Sequence, residues 1–227
     1  MDFKLRKSYS GIIVIMVMSC FFMGFVDALW QPGYAVKSAL KIIAFMIVPC
    51  YYSYRNKNIN LKSLFVFRPK EMVYAVSMGV GVYAFILLCY FTIGGFFDFS
   101  KVTGALNENV GVNKANFVYV AIYISLVNSL LEEFFFRGFV FMNLKKLVGR
   151  NPAYLVSSTA FGAYHVAMMT GWFSFGLFLL LLAALIAAGL LFDWLNEKQG
   201  NIYNSWFVHM FANFSINTVG FILFGIL

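Results

Sequence analysis

Seven stretches of this sequence, at roughly 11–29, 38–54, 72–96, 116–143, 152–170, 174–193 and 202–226, are apolar along nearly their whole length. A helix rises 1.5 Å per residue, so about 20 such residues cross the hydrocarbon core of a bilayer. Helices that are apolar all round must be buried in a large core or in lipid, and 227 residues cannot bury seven of them in water. The pattern therefore predicts an all-α, polytopic transmembrane helix bundle of about seven to eight helices. The count depends on the last stretch, which reads as one tilted helix or as two pieces broken near Asn213–Asn217. Composition agrees. Only 11% of residues are charged, against roughly 25% in soluble domains, and the mean hydropathy is +0.80.

The net charge of +8 would suggest a nucleic-acid partner in a soluble protein. Its distribution points elsewhere. With the N-terminus inside, the cytoplasmic segments hold Lys4, Arg6, Lys7, Arg55, Lys57, Lys62, Arg68, Lys70, Lys145, Lys146, Arg150 and Lys198, while the opposite loops hold Lys37, Lys101 and Lys114. That asymmetry is the positive-inside pattern, so the basic residues report topology and attraction to membrane lipid, with no nucleic-acid partner expected. The first apolar stretch is too long for a cleaved signal peptide and is closed by no small-residue cleavage site. Cys20, Cys50 and Cys89 fall in three different stretches, without metal-type spacing, and read as packing or lipid-facing residues. No repeat or linker divides the chain, so residues 1–227 are expected to form one transmembrane domain.

An ionisable group central in a membrane helix costs at least about 2.5–3.5 kcal/mol, which makes such groups informative. Asp27 and Lys41 lie near the ends of their stretches and are expected to hydrate at an interface. The others converge on three segments. In Leu130-Leu131-Glu132-Glu133-Phe134-Phe135-Phe136-Arg137, Glu133 and Arg137 are four residues apart on one helical face and can pair. Glu132 is turned about 100° away and lacks that partner. An unpaired carboxyl among phenylalanines is a candidate general base. The chain's two histidines lie in the other two segments, Phe161-Gly162-Ala163-Tyr164-His165 and His209-Met210-Phe211-Ala212-Asn213. Either alone reads most simply as a packing residue; both together, beside a buried carboxyl, read as a site. Counted from one side of the membrane, Glu132 lies 13 residues before Lys145, His165 lies 13 after Pro152, and His209 and Asn213 lie 8 and 12 after Asn201. These offsets correspond to about 12–20 Å of helix, so all four groups fall in one slab.

The order Glu132-Glu133-xxx-Arg137, Phe161-xxx-His165, His209-xxx-Asn213, with Phe136 and Gly138 flanking the first motif, resembles the CAAX protease and bacteriocin-processing (CPBP, or Abi) family of intramembrane endopeptidases, related to type II CAAX prenyl endopeptidases. The resemblance covers about residues 116–217, which would be the catalytic core. It implies a glutamate peptidase without a metal or other cofactor. Glu132 would take a proton from water, His165 would orient that water, and His209 and Asn213 would donate to the oxyanion. Arg137 would hold Glu133, with Phe161 supporting. It also implies a peptide or a lipid-modified, membrane-tethered protein as substrate, and a bacterial cell membrane as the location. Two other readings use the same residues: a zinc-dependent protease with Glu132, His165 and His209 as ligands, although no HExxH lies on one helix, and a non-catalytic bacteriocin-immunity or scaffold protein.

Overall fold

The computed structural model describes residues 3–227, and no strand occurs among them. Among the described residues, six helices are long and apolar enough to cross a membrane: α1 (Leu5–Trp30), α2 (Tyr34–Arg55), α3 (Pro69–Phe96), α5 (Phe117–Val148), α7 (Phe175–Gln199) and α8 (Tyr203–Leu223). Two shorter ones complete the set, α4 (Ser100–Val110) and α6 (Arg150–Tyr164). The protein is an all-α integral membrane bundle.

Three details refine the sequence expectation. The last apolar stretch is one continuous helix, α8, with Asn213 and Asn217 inside it. Both amides donate to backbone carbonyls of α5, Asn213 to Ile124 and Asn217 to Ala121, each at 3.2 Å, so these polar residues join two helices rather than breaking one. The stretch at 152–170 is a helix only to Tyr164, with a turn at His165 before a last short piece, Val166–Met169. The polar segment after α3 contains α4, which Gly111 closes at φ 69°, a left-handed conformation that glycine adopts without steric cost.

Large apolar side chains on the outer faces point away from the bundle, among them Phe21, Phe85, Leu88, Phe91 and Leu180, as a lipid environment requires. The inner core is aromatic. Phe45 of α2 stacks on Phe135 of α5 with ring centroids 4.3 Å apart, and Phe136, Phe139 and Phe161 pack around them. Close helix approach depends on glycine. A Cβ at Gly189 of α7 would lie 2.9 Å from the Ser158 backbone of α6, and one at Gly138 would lie 2.6 Å from Leu64. Helix α5 is not uniformly α-helical. It widens to i→i+5 hydrogen bonding at Ile124–Asn128 and again at Glu133–Phe141. Such wide turns change which side chains share a face, and they occur frequently at functional sites.

Candidate active site

Consecutive positions on α5 place its two adjacent glutamates in different surroundings. Glu132 is 2% exposed and faces α2, α6 and α8. Its Oε1 accepts a hydrogen bond from Lys41 Nζ at 2.5 Å and another from Asn128 Nδ2 at 3.0 Å. Lys41 Nζ also donates to Asn128 Oδ1, which closes a triangle on one carboxylate oxygen. The other oxygen, Oε2, lies 3.9 Å from His165 Nε2 and 3.7 Å from His209 Nε2. Glu132 is thus bound firmly on one side and faces two imidazoles, beyond hydrogen-bond range, on the other.

Each imidazole is held through its second nitrogen. His165 Nδ1 donates to the carbonyl of Phe161 at 2.7 Å, which the turn after α6 makes possible. A carbonyl only accepts, so in neutral His165 the nitrogen facing Glu132 carries a lone pair. His209 Nδ1 bonds Glu133 Oε1 at 2.9 Å, and its ring stacks on Phe192 with centroids 5.0 Å apart.

Glu133 belongs to a second network, fully buried behind the first. Arg137 Nη1 is 3.4 Å from Glu133 Oε1, and Arg137 Nε is 3.6 Å from Asp193 Oδ1. Arg137 Nη2 donates to the carbonyl of Gly189 at 3.4 Å, and Ser157 donates to Asp193 at 2.9 Å. The guanidinium carbon lies 4.1 Å from the centroid of the Phe161 ring, which also contacts both histidine rings. Phe161 therefore touches the reactive cluster on one side and the ion-pair network on the other.

The structure brings Glu132, His165 and His209 together, and places Glu133, Arg137 and Phe161 directly behind them. Asn213 is buried one turn from His209, with one amide N–H committed to Ile124 and the second N–H still free to serve another acceptor. Three participants were not anticipated. Lys41, expected to hydrate at an interface, is 4% exposed and is the ion partner of Glu132, because α2 packs against α5 at that depth. Asp27, also expected to hydrate, is instead turned inward and paired with Lys37 at 2.5 Å, its side chain 2% exposed. Asn128 carried a usable signal, since it lies four residues before Glu132 on the same helix. Asp193 carried one too, as an acid at the end of an apolar stretch. No group of three or more His, Cys, Asp or Glu side chains among the described residues is disposed to hold a metal ion.

The family model described as type II CAAX prenyl endopeptidase Rce1-like matches residues 114–215. Residues 114–215 are similar to the CAAX protease family. The matched segment runs from just before α5 into α8 and includes every motif residue named above. Lys41 therefore comes from outside the matched segment. No curated protein and no solved structure matches the chain.

Proposed function

We propose that the chain is a CAAX-type protease that hydrolyses a peptide bond within the membrane by glutamate-activated water, with residues 116–217 as its catalytic core. The observation that carries the reading is the placement of Glu132 Oε2 opposite the Nε2 atoms of both histidines, inside an aromatic core. A water between Glu132 Oε2 and the two Nε2 atoms would pass one proton to Glu132 while its other O–H donates a hydrogen bond to the His165 lone pair, leaving a lone pair of the water oxygen aimed outward. Attack on the substrate carbonyl forms the new C–O bond and an oxyanion. Collapse then breaks the C–N bond, and the proton held by Glu132 passes to the departing amine.

The oxyanion falls to His209 and Asn213. His209 Nδ1 serves Glu133, so Nε2 carries a hydrogen only in the imidazolium form. Asn213 supplies its free N–H without any change of state. Preset donors of this kind are worth roughly 2.7–4 kcal/mol each in acyl transfer.

The substrate class that fits the family description is a prenylated or otherwise membrane-tethered protein bearing a C-terminal CaaX sequence, with a plain membrane peptide as the broader possibility. The distribution of basic residues supports a cytoplasmic N-terminus, with cleavage reached from that side. The test is cleavage of an internally quenched farnesylated CaaX peptide by purified protein in detergent. Glu132→Gln, His165→Ala and His209→Ala should each abolish product while the protein still accumulates. Undiminished cleavage by all three variants would return the polar cluster to a binding or scaffold role.

A further inference from the structure

We propose that Lys41 is a positioning residue for the reaction: it holds Glu132 as a carboxylate and fixes its second oxygen toward the two histidines. The inference rests on the glutamate reading above and extends the site to α2, beyond the segment that matches the family.

Four observations carry it. First, the ammonium is buried, and its polar contacts are Glu132 Oε1 and Asn128 Oδ1. A buried cation with one carboxylate partner exists to be paired with that carboxylate, since either alone is costly in hydrocarbon. Second, Lys41 and Asn128 both engage Oε1, leaving Oε2 to face the histidines. The carboxylate is therefore fixed at one end and chemically available at the other, as a general base must be. Third, the ammonium is seated by aromatic faces, 4.9 Å from the Tyr164 ring centroid and 5.4 Å from that of Phe45, and Tyr164 immediately precedes His165. Its position is thus set by the same helix that sets the histidine. Fourth, the side chains in direct contact with Glu132 or nearest to its carboxylate are Lys41 from α2, Asn128 from α5, His165 from the end of α6 and His209 from α8, with the hydroxyls of Tyr34, Tyr123 and Tyr164 in its wider surroundings. Lys41 is the basic side chain of that set paired with Glu132, while Arg137 is engaged with Glu133 and Asp193.

Space around Lys41 makes its identity testable. The cavity beside it, lined by Tyr34, Lys37, Ser38, Lys41, Tyr123 and Asn128, has a volume of about 20 Å³. That holds about one water and not a guanidinium fork. Arginine would keep the charge, and so the fold, while displacing the carboxylate.

The experiment compares wild type, Lys41→Met and Lys41→Arg in detergent, by infrared difference spectroscopy and by cleavage of the quenched farnesylated CaaX peptide. The carboxyl band lost in Glu132→Gln identifies Glu132. It should be an ionised carboxylate band in wild type and in Lys41→Arg, and a protonated carboxyl band in Lys41→Met. In Lys41→Met kcat should fall on the order of a hundredfold, and in Lys41→Arg on the order of tenfold, with KM nearly unchanged in both. Lys41→Met with the carboxylate band and wild-type kcat overturns the proposal. If Lys41→Met does not accumulate, Lys41→Arg decides: undiminished kcat overturns the proposal, and a lower kcat at constant KM supports it. A fully active Glu132→Gln would instead sink the glutamate mechanism, while the infrared comparison would still show whether Lys41 keeps Glu132 ionised.

Discussion

Glu132 and Glu133 are neighbours in the chain and opposites in the structure. Glu132 sits in an open arrangement: one oxygen is bound by Lys41 and Asn128, and the other faces two imidazole nitrogens at 3.7 and 3.9 Å. Glu133 sits in a closed one, fully buried and tied to His209 and to Arg137, which in turn reaches Asp193. The difference arises from helix geometry, because consecutive residues point about 100° apart. One of two identical side chains thereby faces the two histidines, and the other faces the buried ion-pair network. Phe161 and His209 join the two, since each touches both networks.

If the closed network is structural, damage to it should appear as lost protein before lost chemistry. Arg137→Ala strands Glu133 and Asp193 in the core, and breaking a buried pair in this way costs about 3–5 kcal/mol. The expected outcome is a large drop in thermal stability and in the amount extracted from membranes. Arg137→Ala with normal stability and no activity would move Arg137 into the chemistry and erase the contrast.

Asn213 tests the open side. Its Nδ2 is already anchored to the Ile124 carbonyl, so Asn213→Ala should cost some helix packing. Its larger effect should be on turnover, on the order of a hundredfold, the usual scale for one oxyanion donor. Equal kcat in wild type and variant would leave His209 as the sole donor.

The smallest expected effect is none. Exhaustive chelation should leave cleavage unchanged, because the Lys41 ammonium already supplies the positive charge at Glu132 and would repel a metal ion placed there. Activity lost to a chelator and restored by zinc would assign Glu132, His165 and His209 as ligands instead.

Much of this contrast was legible in the sequence. The apolar stretches gave the membrane helices, and the four-residue spacing of Glu133 and Arg137 gave the ion pair seen at 3.4 Å. The counted depths of Glu132, His165 and His209 agree with their convergence. What escaped was the partner of Glu132. Lys41 stands early in its helix, where lysine usually reaches water, and only the packing of α2 on α5 shows that it turns inward. Pairing between distant helices has no local periodicity to reveal it. The wide turns of α5 were equally hidden, since an inserted residue in a helix leaves no pattern in a uniformly apolar stretch.

The most direct test of the central claim is to measure kcat and thermal stability together for Glu132→Gln and Glu133→Gln, with the same quenched peptide. A general base contributes roughly 10²–10⁴-fold. Glu132→Gln should therefore lose at least a hundredfold in kcat, by that scale, while melting near the wild-type temperature. Glu133→Gln should melt lower and keep substantially more activity per folded molecule. The reverse result, Glu132→Gln active and Glu133→Gln folded but dead, would contradict the account and exchange the roles of the two carboxylates.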